Sequence, residues 1–334
     1  MNDVRLPLGD IAETFVRWLI DTMGWFFDGL RAIFLAIYDS LEWVLQTPPF
    51  WVIIVVLAVL AFWAKGLWLA VGTAVGLLII VGVDQWDNAM QSLALVIVAS
   101  VIALAIGIPL GIWAARSDTV SAIVRPVLDF LQTMPAFVYL IPALMLFRVG
   151  VVPGIVATIV FALAPGVRLT ELGIRGVDRE VVEAGHAFGA SPGRILRQIQ
   201  LPLAMPSIMA GVNQVIMLSL SMVVIAGMVG ARGLGGDVVQ SLQKIDIALG
   251  VEAGLSVVVI AMILDRMTSA LATRGARGAG GRARGRGLGF GFGAAAKRAG
   301  APAQPTAAAS APAASAPAAS APAASAPAAS APSA

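Results

Sequence analysis

The sequence has no cysteine and a single histidine, His186, among its 334 residues. Disulfides, thiolate catalysis and cysteine-ligated zinc are therefore excluded, and so are metal sites built from several histidines. Charged residues are also scarce, because they make up 12% of the chain while hydrophobic residues make up 59%. That charged fraction is about half of what a soluble domain carries, so the composition indicates an integral membrane protein.

The small net charge of +3 hides an uneven distribution, since no acidic residue follows Arg274. Basic residues beside a membrane span typically mark its cytoplasmic side, and we expect no nucleic-acid partner. The opening residues MNDVRLPLGD lack the charged, apolar and small-residue pattern of a cleaved signal peptide, so none is predicted.

The amphipathic N-terminal region covers residues 1–49. Between residues 11 and 45, aromatic side chains alternate with charges such as Arg17 and Asp21. A spanning helix would hold these charges in hydrocarbon, at about 2.5–3.5 kcal/mol each near the centre. A helix that lies in the membrane interface is therefore predicted here.

The transmembrane domain covers residues 50–272. Its first apolar run, 50–83, would form one helix of roughly 50 Å against a hydrocarbon core of about 30 Å. We therefore predict two short spans with a turn at Lys65 and Gly66. Further apolar segments lie at 92–114, 127–147, 151–167, 206–229 and 247–271. The fold class predicted is an all-α integral membrane protein, a polytopic helical bundle of about seven spans.

Arginines cluster near residues 116–125, in the long loop 168–205 and after the last span. By the positive-inside rule these three regions lie in the cytoplasm, with the N-terminus outside. The tail, residues 273–334, is Gly/Arg-rich and then repeats units such as SAPAA. Because it lacks large apolar side chains, it is predicted to be a disordered spacer.

A polar stretch, VEAGHAFGASPGRILRQIQLPLAMP, occupies residues 182–206. Asp178 is a candidate N-cap of a first helix that Gly189 ends. Ser191 and Pro192 suit the start of a second helix, and Pro202 is expected to stop it. The pattern predicts a helix–turn–helix elbow that protrudes from the membrane.

The second helix of this elbow carries an apolar patch, formed by Ile195, Leu196 and Ile199. An exposed patch rimmed by polar groups usually marks a partner site. The alternative is a loop that folds back on its own protein.

The stretch resembles the EAA motif of ABC importer permeases, EAA-x3-G-x9-I-x-L-P, with glycine in place of the second alanine. The matching residues are Glu183, Ala184, Gly185, Gly189, Ile199, Leu201 and Pro202. The resemblance implies the type I ABC importer permease fold. It also implies a cytoplasmic coupling loop that docks into a cleft of the ATP-hydrolysing subunit.

Longer segments are similar to the glycine betaine/proline (ProU-type) permease family, over roughly residues 50–272. They include IGIPLGIWAARS at 106–117 and GLGGDV at 233–238. The resemblance implies a homodimer of this chain, two ATP-binding subunits and an external substrate-binding protein, in the bacterial cytoplasmic (inner) membrane. The chain has no GxxxxGK[ST] loop, so we expect that it binds no cofactor and that its partner uses the ATP.

Polar residues inside the apolar segments are candidates for lining a translocation path. They are Gln132, Thr133, Tyr139, Asn213, Gln214, Ser219 and Ser221. Hydrogen bonding between helices is the alternative interpretation. Glu171 and Asp178 are interpreted as solvated loop residues, and no metal site is predicted.

Two other functions remain open. One is an ABC permease for another cargo, such as choline, carnitine or an amino acid. The other is an ATP-independent carrier or channel, which would not need the elbow.

Overall fold

A computed structural model describes residues 8–284, and within that range the regular structure is helical throughout. Apolar side chains dominate most of the helices. A helix satisfies its own backbone hydrogen bonds, which lipid cannot do. The helices are α1 Leu8–Gln46, α2 Phe50–Lys65, α3 Leu67–Gly82, α4 Trp86–Arg116, α5 Asp118–Thr133, α6 Ala136–Phe147, α7 Val151–Arg175, α8 Arg179–Ala187, α9 Pro192–Ile195, α10 Leu201–Met228, α11 Leu234–Lys244 and α12 Ile247–Arg284.

The helices long and apolar enough to cross a membrane are α4, α7, α12 and the continuous helix Pro192–Met228. Two bent pairs, α1 with α2 and α5 with α6, raise the number of candidate spans to six, and the shorter apolar α3 is one more. The described part of the chain therefore accommodates the predicted seven.

The predicted break in 50–83 is confirmed at Gly66. This glycine has a φ of 96°, a region that favours glycine, and it separates the two 16-residue helices α2 and α3. Lys65 ends α2 and is exposed at the turn.

Helix α1 departs from the prediction of a helix that lies in the interface over 11–45. Non-helical angles at Met23 kink it. Beyond the kink it runs antiparallel to α4, where Gln46 donates to the Asp87 carbonyl and Gln91 donates to Glu42. The apolar face of this half packs into the core, with Tyr38 and Leu45 buried. Packing against α4 outweighs the interface there, and interfacial placement stays a prediction only for the half before Met23.

Helices α4, α7 and α10 pack closely because small residues lie where they meet. A methyl group added at Gly154 of α7 would lie 2.7 Å from Cβ of Ala226 on α10. One added at Gly173 would lie equally close to Cβ of Ser207. Small residues let membrane helices approach at their backbones, and this three-helix centre holds the base of the elbow.

The apolar segment 127–147 is not one straight helix. Helices α5 and α6 meet there at 97°. Met134 precedes Pro135 and has an extended ψ of 134°, because a residue before proline is driven out of the α-helical region. The Tyr139 hydroxyl lies 3.1 Å from the Leu131 carbonyl oxygen, to which it donates across the bend.

Two predicted boundaries shift. Helix α7 continues to Arg175, so the start of the predicted loop 168–205 is the last two turns of a helix. Helix α12 continues to Arg284, so the predicted tail 273–334 begins as helix. Both segments continue the helical hydrogen bonding of the span before them. The rest of the tail lies outside the described residues.

Candidate functional site: the elbow and its base

The elbow, residues 176–200, begins with the predicted cap. The Asp178 carboxylate accepts the Glu180 backbone N–H at 3.0 Å and starts α8. At the other end, Gly189 has a φ of 74° and donates to the His186 carbonyl, while Ala190 donates to the Gly185 carbonyl. These two bonds form the Schellman arrangement that ends a helix at a glycine. Both predicted ends of α8 are confirmed.

The second helix of the elbow also starts as predicted, with Ser191 before Pro192 at its first turn. The predicted stop at Pro202 is wrong. Residues Leu196–Gln200 form a π-helical turn in which the Leu201 N–H donates to the Leu196 carbonyl, and the helix continues to Met228. This wider turn admits a proline, which lacks an N–H and would crowd the carbonyl of the preceding turn.

The apolar patch of the second helix is buried, so it is not the exposed partner site that the pattern favoured. Ile195 and Leu196 are 2% and 8% exposed. Leu196 packs in a cluster with Ile174 of α7 and Ile208 of α10. Ile195 and Ile199 lie over Gly185 of α8. For these residues the alternative interpretation is therefore correct: the loop folds back on its own protein.

The exposed surface of the elbow lies instead on α8 and the turn after it. Glu183, Ala184, His186 and Gly189 are exposed, and Phe188 is 92% exposed. The motif residues therefore divide into two groups. Glu183, Ala184 and Gly189 face outward, while the buried Gly185 and the half-buried Ile199, Leu201 and Pro202 shape the elbow from within.

Behind the elbow, Glu171 is buried, so the interpretation as a solvated loop residue is wrong. Only 4% of its side chain is exposed. Its Oε1 accepts from Ser121 Oγ at 2.7 Å and from Arg125 Nη2 at 2.8 Å, both on α5. Nε of Arg175 lies 3.1 Å from the same oxygen. A signal was present in the sequence, since Glu171 and Arg175 are spaced i,i+4 as on one helix face.

Arg175 joins three helices at the base of the elbow. Its Nη1 lies 2.7 Å from Oδ1 of Asp118 at the start of α5, and its Nη2 lies 2.8 Å from the carbonyl oxygen of Ala114 at the end of α4. That carbonyl is one of the last in its helix, where intrahelical donors run out. A further ion pair, Arg168 with Asp129, lines an open pocket of about 270 Å³ beside Glu171.

The seven candidate path residues do not form one hydrogen-bonded group among the described residues. Asn213 of α10 donates to Asp265 at 3.1 Å and accepts from Thr268 at 2.5 Å, so it joins α10 to α12. Tyr139 holds the α5–α6 bend. The hydroxyls of Thr133, Ser219 and Ser221 each donate to a carbonyl of their own helix. Five of the seven side chains are therefore hydrogen-bonded within the protein. The amides of Gln132 and Gln214 lie on exposed residues.

The described residues form a bundle of apolar helices that carries an exposed helix–turn–helix elbow on a buried polar base, and similarity to known families places the chain among membrane permease subunits of the ABC importer type. The chain belongs to the family described as binding-protein-dependent transport system inner membrane component, whose model matches residues 107–276. It is therefore a multi-pass membrane protein of a transport system that also has ATP-binding and substrate-binding components.

Several relatives match most of the chain. It is 46% identical over 264 residues to the glycine betaine transport system permease protein OpuAB of Bacillus subtilis, covering 79% of this chain and 94% of that one. It is 47% identical to the glycine betaine/carnitine transport permease protein GbuB of Listeria monocytogenes, covering 80% and 96%. It is 45% identical to the glycine betaine/proline betaine permease ProW of Escherichia coli, covering 83% and 78%.

The fold is also that of a solved structure. A chain of the MetNI methionine ABC transporter, in an inward-facing conformation, superimposes with a TM-score of 0.51 at 21% identity. The match covers 57% of this chain and 95% of that one. The type I permease fold implied by the sequence motif is thereby confirmed.

Proposed function

We propose that this chain is the membrane-spanning subunit of an ATP-driven importer for compatible solutes of the glycine betaine and proline betaine class. The observation that carries the proposal is the similarity over nearly the whole length of a glycine betaine permease, 46% identity over 94% of that protein. A similarity this long includes the helices that line any path, as well as the elbow.

The elbow is proposed to be the coupling loop that receives the movement of the ATP-binding subunit. Its outward surface offers the Glu183 carboxylate, the His186 ring and the Phe188 ring, a mixture of charge and aromatic surface that suits a protein interface. Gly189 allows the turn between the two helices. Ile199, Leu201 and Pro202 act from within, by fixing the elbow to α10.

The assembly proposed is a homodimer of this chain with two ATP-binding subunits and an external substrate-binding protein, in the bacterial cytoplasmic membrane. The partner subunit binds the ATP, and this chain binds no cofactor. Closure of the ATP-binding subunits would draw the two elbows together. Because the elbow continues into α10 without a break, this movement would tilt α10 and the helices packed on it.

The translocation path is proposed to run along the side of α10 that carries Gln214 and Ser221. Seven residues separate them, so they lie two turns apart on one face, and both are exposed in the single chain. Gln132 and Thr133, at the exposed end of α5, are further candidates. Asn213 joins α10 to α12 and Tyr139 holds the α5–α6 bend, so both are better explained as structural residues. Ser219 is fully buried and bonds to its own helix, which also favours a structural role.

The test is uptake by proteoliposomes that contain the chain, its ATP-binding subunit and its binding protein. Radiolabelled glycine betaine should accumulate only with ATP, and not with a hydrolysis-deficient ATP-binding subunit. Accumulation driven by an ion gradient without ATP would instead favour a carrier. Carnitine is a second candidate cargo, since the name of one relative at 47% identity includes it. Competition by excess carnitine, choline and proline betaine ranks these cargoes.

The cytoplasmic position of the elbow is tested by thiol labelling, because the chain has no native cysteine. A Ser191→Cys variant should react with a membrane-impermeant reagent only after permeabilisation. An Asn88→Cys variant, at the opposite end of α4 from Arg116, should react in intact cells. Labelling of the first variant from outside would place the elbow beyond the reach of any ATP-binding subunit and would contradict the importer.

A further inference from the structure

The polar base behind the elbow contains Glu171, the one acidic or basic side chain that is buried among the described residues. A buried carboxylate has to be paired and hydrogen-bonded to remain charged. Here one oxygen, Oε1, lies within 3.1 Å of donors on Ser121, Arg125 and Arg175. Because Ser121 and Arg125 lie on α5 while Glu171 and Arg175 lie on α7, these contacts link the two helices.

The base lies directly at the root of the elbow. Arg175 ends α7, and only Gly176 and Val177 separate it from Asp178, the cap of α8. Through Glu171, Asp118 and the Ala114 carbonyl, the same arginine contacts its own helix, α5 and the end of α4. A displacement of α8 that pulls on α7 therefore acts on α5 through this side chain.

Apart from these polar contacts, α5 is attached to α7 by a small apolar cluster. Leu128 of α5 and Ala164 and Val167 of α7 are its buried members. Three ion pairs flank it, Arg125 with Glu171, Arg175 with Asp118 and Arg168 with Asp129. These charge-assisted hydrogen bonds add directional contacts of defined geometry to the small apolar cluster.

We propose that Glu171 and Arg175 are positioning residues that transmit movement of the elbow to α5 and, across the bend at Pro135, to α6. This inference rests on the proposed importer function and names the internal link between the elbow and the bent helix pair. Without that link, the ATP-binding subunits would still dock and hydrolyse ATP, but α5 would no longer follow.

The experiment compares Glu171→Gln and Asp118→Asn in proteoliposomes that also contain the ATP-binding subunit and the binding protein. The readout is glycine betaine transported per ATP hydrolysed. Glu171→Gln keeps the side-chain volume and removes the charge, and should lower this ratio about tenfold, within the range by which residues in a coupling network alter the link between two sites. Asp118→Asn should lower it about threefold, because Arg175 keeps its other contacts. ATP hydrolysis itself should change less than about twofold.

The matched control is Asp39→Asn, which neutralises an exposed carboxylate on α1 far from the base in sequence and should keep the wild-type ratio. Unchanged ratios in both test variants would overturn the inference. So would transport and hydrolysis that fall together with the amount of folded protein, since that is the result of a purely structural role.

If Glu171→Gln does not fold, Asp118→Asn decides, because its side chain is 93% exposed and its loss opens no buried site. The experiment distinguishes a failure of the proposed importer function from a failure of the role assigned to Glu171 and Arg175. Wild-type protein that does not transport betaine with ATP contradicts the proposed function, whereas wild-type transport with unaltered ratios in the variants contradicts only the role of Glu171 and Arg175.

Discussion

Gly185 of α8 faces Ile199 of the π-helical turn so closely that a methyl group on Gly185 would lie 2.9 Å from Cδ1 of Ile199. The same methyl group would lie 3.4 Å from Cγ1 of Ile195. The two helices of the elbow therefore meet at the one motif position where this chain has glycine in place of alanine.

Gly185→Ala is expected to be tolerated. The nearest atom is the end of a flexible side chain that can rotate, and alanine favours the helix interior by roughly 0.5–1 kcal/mol over glycine. The stability measured by thermal unfolding in detergent should change by less than about 1 kcal/mol, with uptake retained. If the variant no longer binds the ATP-binding subunit, the Ile199 side chain cannot rotate to make room for the added methyl group.

Gly189→Ala should destabilise the turn of the elbow by about 1–2 kcal/mol, because a side chain at a φ of 74° is strained. Its matched control is Gly193→Ala, four residues later. Neither glycine has another atom within 4 Å of the added methyl group, and only Gly189 has a positive φ. Unfolding temperatures should fall for the first and hold or rise for the second. Equal effects would show that backbone strain is not the cause.

Glu183→Ala should weaken docking without unfolding the protein, because Glu183 is exposed on α8. We expect uptake and co-purification of the ATP-binding subunit to fall about tenfold, the effect of losing roughly 1.4 kcal/mol at an interface. Glu180→Ala, an exposed carboxylate on the same helix but outside the motif, is the control and should keep docking. A Glu183→Ala protein that docks and transports normally would remove this side chain from the interface.

Gly227→Ala should be the most damaging of these changes to folding. The added methyl group would lie 2.3 Å from the carbonyl carbon of Gly235, where α10 meets α11. Backbone cannot rotate away as a side chain can, so we expect a loss of at least about 2 kcal/mol. Gly254→Ala on α12 is the control, since its methyl group would enter open space. A normal unfolding temperature for Gly227→Ala would show that α11 can move away from α10 to make room for the added methyl group.

The ends of α8 were predictable because helix capping is local chemistry. Asp178 and Gly189 act on backbone groups within a few residues, and the same holds for Gly66 in the first hairpin. The bend at Pro135 was harder to predict, because the hydropathy of an apolar segment is the same whether the segment is straight or bent. The burial of Glu171 depends on Ser121 and Arg125, which are 50 and 46 residues away in the chain.

The π-helical turn before Pro202 is a feature that the local sequence predicted wrongly. Proline usually ends a helix, and the local rule applied to Pro202 predicted a stop. In the structure the packing of Leu196 against α7 and α10 holds the helix together across that proline, at the cost of one wider turn. Tertiary packing thus decided a feature that local propensity assigned wrongly.

The short hairpin of α2 and α3 has a consequence for the surrounding lipid. Each of its helices has 16 residues and so reaches about 24 Å, less than a hydrocarbon core of about 30 Å. The exposed Trp68 and Lys65 mark its tip; an indole ring prefers the headgroup level, and a lysine ammonium extends toward it. Hydrophobic mismatch of this kind is relieved by local thinning of the bilayer. We therefore expect the lipid to be thinner beside the hairpin than beside the 31-residue α4.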